Sequence, residues 1–208
     1  MIIAIDGPAA SGKGTLARRI AAHYGLDYLD TGSLYRAVAR DVMAAGDSVR
    51  DPERAVAAAR NLDESTLDDP FLRERGVGEA ASILARYEAV RHELLAYQRR
   101  FAGRPQGAVL DGRDIGTAIC PGADAKLFIT ASVEERARRR YHELRAGGFD
   151  VTREGVREEI RNRDRRDQDR AASPLKMAED ARLLDTTDFD IETAFRAAVA
   201  LIDEMTGR

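Results

Sequence analysis

The segment MIIAIDGPAASGKGT at the start of the chain restricts the possible folds more than any other part of the sequence. An apolar run at residues 2–6 leads into a loop of small residues, and a helical pattern begins at Lys13. The spacing from Gly7 to Lys13 is GxxxxGK, which is typical of a phosphate-binding loop between a strand and a helix. Glycines let backbone N–H groups approach phosphate oxygens, and the lysine reaches the β and γ phosphates. The segment therefore predicts a nucleoside triphosphate site on a parallel sheet.

Apolar runs and helical patterns alternate along the rest of the chain. Strands are predicted at residues 2–6, 26–30, 107–111, 125–130 and 181–186. Helices are predicted from Lys13 to Gly25 and at residues 33–45, 74–101, 132–146, 153–171 and 191–205. This order predicts an α/β fold of the P-loop NTPase type, a five-stranded parallel sheet with helices on both faces.

We expect the 208 residues to form one domain with a core at residues 1–46, 101–135 and 178–208. Residues 47–100 are more than a crossover between two strands needs, so they predict a helical flap. The net charge of −3 argues against a nucleic-acid or membrane partner. A single cysteine excludes an internal disulfide, and no stretch approaches the roughly 20 apolar residues of a membrane span. These features predict a cytoplasmic monomer.

Charged and polar residues follow two of the predicted strands where ligands bind in open α/β sheets. Thr31, Tyr35 and Arg36 lie in DTGSLYR, directly after the second strand. The third strand ends in LDGRD, which places Asp111, Arg113 and Asp114 in the same crevice. Three charges at the end of a buried strand cost too much desolvation to be incidental, so they predict a second part of the site.

The metal is expected to depart from the common pattern of phosphate-binding loops. Gly14 stands where that pattern has the Ser or Thr that holds Mg²⁺, and Thr15 comes one residue later. We therefore expect phosphates and waters to hold Mg²⁺. Asp111 is placed to act on the metal through water.

Residues 136–170 are rich in arginine, and their acidic residues alternate with the basic ones. Three interpretations are open: a solvated helical surface, a nucleic-acid-binding module, and a lid (residues about 145–171) that closes over phosphates. On a helix, Arg163, Asp167 and Arg170 would share one face, which favours the lid.

The motifs GPAASGKGT, LDTGSLYRA, GEAAS, LDGRDIGT and RDRRDQDRAASPLK together resemble the bacterial cytidylate kinases along the whole chain. The resemblance implies transfer of a phosphoryl group from ATP to CMP or dCMP, with Mg²⁺. The implied ATP-binding residues are Gly7, Pro8, Ala9, Ala10, Ser11, Gly12, Lys13, Gly14 and Thr15.

The resemblance also implies roles for the other candidate residues. Arg36, Arg113 and Arg170 would grip phosphate groups, and Ser82, Arg91 and Asp114 would read cytosine. Arg163 and Asp167 would contact the ribose, and the implied catalytic residues are Lys13, Arg113, Arg163 and Arg170. On the predicted helix 74–101, Ser82 and Arg91 lie about two and a half turns apart. The stretch DESTLDDPFLRERG is too short for the small antiparallel sheet of many relatives.

Other functions share the phosphate-binding loop. A regulatory GTPase is disfavoured because the NKxD motif is absent, and an ATP-driven assembly or transport protein would usually be longer. A kinase of UMP, shikimate, dephospho-coenzyme A or another small acceptor remains the alternative enzyme.

Overall fold

The strands form one parallel sheet in the order β2-β3-β1-β4-β5. The computed structural model describes residues 1–74 and 76–208. Its strands are β1 (Ile2–Asp6), β2 (Asp27–Asp30), β3 (Ala108–Gly112), β4 (Ala125–Thr130) and β5 (Arg182–Asp185). All four strand pairs are parallel, so the predicted α/β sheet is confirmed.

Helices cover both faces of this sheet. They are α1 (Lys13–Tyr24), α2 (Thr31–Ala44), α3 (Pro52–Arg60), α4 (Val77–Leu84), α5 (Glu88–Ala102), α6 (Val133–Ala146), α7 (Arg153–Asp169) and α8 (Ile191–Thr206). Apolar residues of α1 and α8 pack with one face of the sheet. The other face packs against α5 and a short π-helical turn at Ile115–Ile119. Because all strand pairs are parallel, the carboxyl ends of the strands lie at the same edge of the sheet.

A second apolar cluster combines residues of α2 with residues of α3, α4 and α5. The predicted single helix at 74–101 is wrong, because α4 ends at Leu84 and α5 begins at Glu88; residue 75 of that prediction lies outside the described residues. Tyr87 between them has an extended backbone. Since α4 packs on α2 and α7 whereas α5 packs on α3 and β3, one straight helix could not make both sets of contacts.

The predicted helix at 153–171 ends earlier than expected. Helix α7 ends at Asp169, and Arg170 has an extended backbone with φ −65° and ψ 136°. Arg170 therefore does not share a helical face with Arg163 and Asp167, as the sequence pattern predicted. Its guanidinium donates to the backbone oxygen of Ser173, a contact that a continuing helix would not allow. Helix α7 packs along α6 through a small separate apolar cluster.

None of the helices in residues 1–74 and 76–208 combines the length and apolar character that a membrane crossing requires.

Candidate active site

A cavity of about 310 Å³, called here the main cavity, lies where the carboxyl ends of β1, β2 and β3 meet residues of α4, α5 and α7. Most of the predicted site residues line it, namely residues 9–15 with Thr31, Tyr35, Arg36, Ser82, Arg91, Asp111, Arg113, Asp114, Arg163, Asp167 and Arg170. Gly7 and Pro8 of the predicted ATP-binding loop do not. The structure thus brings together residues that are up to 161 positions apart, from 9 to 170.

The phosphate-binding loop is shaped by close packing around its glycines. Gly7 has φ +152°, and a Cβ there would lie 2.0 Å from the backbone oxygen of Ile129. At Gly14 a Cβ would lie 3.0 Å from Asp111 Oδ2. Gly14, which departs from the common loop pattern, therefore lies in close contact with the Asp111 carboxylate. Lys13 Nζ donates to the backbone oxygen of Pro8 at 3.2 Å, which holds the ammonium over the loop.

Asp111 lies in surroundings that disfavour the charge of its carboxylate. Its carboxylate is buried, and burial together with the negative charge of Asp30 raises its pKa to about 7, against the opposing effect of Lys13. Tyr28 donates a hydrogen bond to Asp111 Oδ2 at 3.1 Å and fixes its orientation. Thr31 Oγ1 donates to the backbone oxygen of Asp111 at 2.7 Å, which joins the ends of β2 and β3.

The cationic side chains of the main cavity repel one another. Burial and the nearby Arg113 lower the pKa of Lys13 to about 7. Burial and Arg113 likewise lower the pKa of Arg163 to about 10, and burial and Arg91 lower that of Arg170. Within residues 1–74 and 76–208, the buried Nε of Arg163 has no hydrogen-bond partner. Such a cluster is stabilised by a multiply charged anion, because the anion restores the favourable environment of each cation.

Two ion pairs orient the arginines of this cluster. Arg113 Nε donates to Asp167 Oδ2 at 2.9 Å, which connects the end of β3 to α7. Burial disfavours the charge of Arg113, but Asp167, Asp111 and Asp30 together outweigh burial and raise the pKa of Arg113. Arg36 donates to Asp30 Oδ2 at 2.7 Å, and burial of Asp30 is likewise outweighed, so its pKa is lowered.

The far end of the main cavity is built around Asp114. One of its carboxylate oxygens pairs with Arg91 of α5, and Arg170 Nη2 lies 3.4 Å from the other. Ser82 of α4 lies at the same end, and its buried Oγ has no hydrogen-bond partner among the described residues. Because the break between α4 and α5 separates Ser82 from Arg91, both residues can face one ligand without a helix folding across it. The two-and-a-half-turn separation inferred for a single helix is therefore wrong.

A second cavity of about 250 Å³ shares Ser11, Gly12 and Thr15 with the main cavity. Arg139 and Thr186 line it together with residues 189–191. Arg139 Nη2 donates to the backbone oxygen of Thr186 at 2.6 Å, which holds the guanidinium at this cavity. These residues were not among those predicted from the sequence. Thr186 and residues 189–191 follow the last strand directly, which was the one sequence signal for them, whereas Arg139 lies within α6.

A link between residues 7–15 and α7 was not predicted from the sequence. Arg136 of α6 is buried, and its Nη1 lies 3.2 Å from the backbone oxygen of Ala9 and 3.0 Å from Asp164 Oδ1. Its Nη2 donates to Asp164 Oδ2 at 2.7 Å. Asp164 directly follows Arg163, so the Arg136 guanidinium ties residues 7–15 to the helix that carries Arg163, a residue of the main cavity.

A family model described as "Cytidylate kinase" matches residues 3–204 of the chain. The chain belongs to the cytidylate kinase family. A cytidylate kinase of Methylocella silvestris is 59% identical over 98% of this chain and 94% of its own length. A cytidylate kinase of Xanthobacter autotrophicus is 60% identical over 98% and 97%. The family resemblance drawn from the motifs is thus confirmed.

The solved structure of a gluconokinase from Sinorhizobium meliloti has the same fold, with a TM-score of 0.53. It covers 99% of this chain and 93% of its own, at 16% sequence identity. At that identity the likeness concerns the fold alone.

Proposed function

We propose that the protein transfers the γ-phosphoryl group of ATP to CMP or dCMP, forming ADP and CDP or dCDP. The names of its relatives support this reaction. The observation that carries the proposal is the order of groups along the main cavity. A phosphate-binding loop lies at one end, a carboxylate flanked by two arginines and an unpartnered serine hydroxyl lie at the other, and cations lie between them.

ATP would place its phosphates on residues 7–15 and its base in the second cavity. The two cavities share three residues of the loop, so a single molecule can extend through both. Arg139 offers a planar cation to an aromatic ring, and the neighbouring Phe189 and Ile191 offer apolar surface.

The acceptor would place its phosphate against Arg36 and Arg113, and its base against Ser82, Arg91 and Asp114. A carboxylate flanked by two guanidiniums accepts hydrogen bonds and does not donate them. Cytosine presents an N4 amino donor there, whereas uracil presents an O4 acceptor. The geometry therefore supports a cytidine nucleotide over a uridine nucleotide. Asp167, held by Arg113, is placed to contact the ribose.

Mg²⁺ fits the donors of this site. Asp111 offers a buried carboxylate next to Asp30, and oxygen donors suit this ion. Among the described residues no three His, Cys, Asp or Glu side chains form a metal cluster, which suits an ion held mainly by phosphate oxygens and waters. When bound, Mg²⁺ would neutralise charge on the ATP phosphates.

The proposed transfer depends on positioning and charge stabilisation, because phosphoryl transfer needs little covalent chemistry from the protein. Lys13, Arg113, Arg163 and Arg170 all line the main cavity, where they would stabilise the charge that is redistributed during transfer. The acceptor phosphate is already an anion, so it needs no strong base. We propose that the flap (47–100) and the lid (145–171) close over both nucleotides and keep water from the γ-phosphate.

The test is ADP release in the presence of a panel of acceptors: CMP, dCMP, UMP, AMP, GMP, shikimate and dephospho-coenzyme A. We expect kcat/KM to be highest for CMP or dCMP, with product formation confirmed by chromatography. Lys13→Ala serves as the control for contaminating kinases. A higher kcat/KM for any acceptor without cytosine would contradict the proposal.

A further inference from the structure

Asp6 is a buried carboxylate that the proposed reaction does not use. It is the last residue of β1 and directly precedes Gly7 of the phosphate-binding loop. Its side chain does not turn towards the loop. Oδ1 accepts the backbone N–H of Ile115 and Oδ2 that of Gly116, both at 2.8 Å. Asp6 thus connects the end of β1 to the π-helical turn that follows β3.

These two N–H groups are ones that the turn itself cannot satisfy. The first N–H groups of a helical turn have no partner within it, and an aspartate at the preceding position usually accepts them. That preceding position is held by Asp114, with φ −149° and ψ 26°. In the structure Asp114 makes no such bond with its side chain. Asp6 caps the turn instead, from another strand.

The consequence concerns the carboxylate of Asp114. Since Asp6 satisfies the turn, the Asp114 side chain is free to face Arg91, Arg170 and the main cavity. Without Asp6, the two N–H groups would lose the acceptor they have in the structure. Asp114 holds the position before the turn, from which an aspartate side chain can accept such N–H groups. If the Asp114 side chain turned towards these N–H groups, its carboxylate would no longer be an acceptor at the far end of the main cavity.

The burial of Asp6 disfavours its charged form, so the carboxylate is not explained by the stability of the folded protein alone. Burial raises the pKa of Asp6 to about 6, although the two backbone N–H groups lower it. The charged carboxylate is therefore held at a cost to the folded state.

We propose that Asp6 is a positioning residue for base recognition, which keeps the carboxylate of Asp114 in the main cavity by capping the turn in its place. The inference rests on the proposed function, because it deepens the role given there to Asp114.

The test compares Asp6→Asn with Asp124→Asn. The asparagine at position 6 has the size of aspartate but can accept only one of the two N–H groups. Asp124 is the matched control, since its Oδ2 accepts the backbone N–H of Ile2 at 2.6 Å at the opposite end of β1. We expect Asp6→Asn to lower the CMP-to-UMP ratio of kcat/KM about tenfold, the factor of one hydrogen bond. Asp124→Asn should leave the ratio unchanged.

The ratio of two substrates does not depend on the folded fraction of the enzyme, so a merely structural role would not move it. An unchanged ratio in Asp6→Asn, or an equal fall in Asp124→Asn, would overturn the proposal. If Asp6→Asn yields no folded protein, Asp6→Glu carries the same expectation, because its longer side chain cannot place both oxygens on the same two N–H groups.

A crystal structure of Asp6→Asn separates this proposal from the proposed function. We expect the Asp114 carboxylate within hydrogen-bond distance of the N–H of Ile115 or Gly116. Retention of its pairs with Arg91 and Arg170 would refute the capping role, whatever acceptor the wild-type protein phosphorylates. Failure of the wild-type protein to use CMP would instead refute the function and leave this structural test in force.

Discussion

Replacement of Ser82 by alanine should stabilise the ligand-free protein and weaken its activity with CMP. Ser82 is 5% exposed, and its Oγ has no hydrogen-bond partner among the described residues. A buried hydroxyl without a partner costs about 1–3 kcal/mol. Ser82→Ala removes that hydroxyl, so we expect the free energy of unfolding of the ligand-free protein to rise by about 1 kcal/mol.

The same substitution should weaken catalysis with CMP. In the proposed complex the hydroxyl accepts a hydrogen bond from the N4 amino group of cytosine. Its removal leaves a buried donor unsatisfied at a cost of about 1–3 kcal/mol, which lowers kcat/KM for CMP by roughly 5- to 150-fold. UMP should lose less, because its O4 already faces the carboxylate of Asp114.

The measurements are urea unfolding and the CMP-to-UMP ratio of kcat/KM. Ser33→Ala is the matched control, since Ser33 Oγ donates to the backbone oxygen of Asp30 at 2.7 Å. The control should be destabilised by about 1 kcal/mol and keep the wild-type ratio. If Ser82→Ala also keeps that ratio, cytosine is read by other residues and the assignment of Ser82 fails.

Four further experiments probe other parts of the site. Lys13→Ala should lower kcat by about 10²-fold or more while circular dichroism shows an intact fold, and near-normal kcat would exclude the phosphate-loop assignment. Arg170→Lys should lower kcat/KM for CMP, because an ammonium cannot replace the planar grip of a guanidinium; full activity would contradict that grip. ADP release from ATP should be slow until CMP is added, and equal rates with and without CMP would argue against closure. The pKa of Asp6 is about 6 in the folded protein and 3.8 ordinarily. Its contribution to the free energy of unfolding should therefore fall by about 3 kcal/mol as the pH rises from about 4 to 6, and it should stay low above pH 6. Asp6→Asn should flatten that part of the curve of stability against pH.

The sheet could be predicted from the sequence because its signals are local. Apolar runs of four to six residues, helical patterns between them and the glycines around Lys13 each act within a few positions along the chain. The break between α4 and α5 had no such signal, because ILARYEAV contains neither glycine nor proline. It arises from the different partners of the two helices, and these partners are far away in the sequence.

Most residues of the main cavity could be predicted from the sequence, but the contacts that hold them in place could be predicted only in part. Motifs identified the residues of the main cavity, since each motif carries its own ligand chemistry. The partners that orient them, such as Tyr28 for Asp111 and Asp6 for the turn after Asp114, depend on which strands become neighbours. The second cavity was missed because Arg139 of α6 and Thr186, the residue after β5, are far apart in the sequence and meet only in the folded chain.

The strand order also bears on ligand design. β1 lies at the middle of the sheet and carries the phosphate-binding loop, with β2 and β3 on one side and β4 and β5 on the other. The main cavity lies on the first side, and the second cavity, beside the residues after β5, lies on the other. A single inhibitor that joins adenosine to cytidine through a polyphosphate bridge would therefore run across the strand ends, and the translational entropy of only one molecule would be lost on binding.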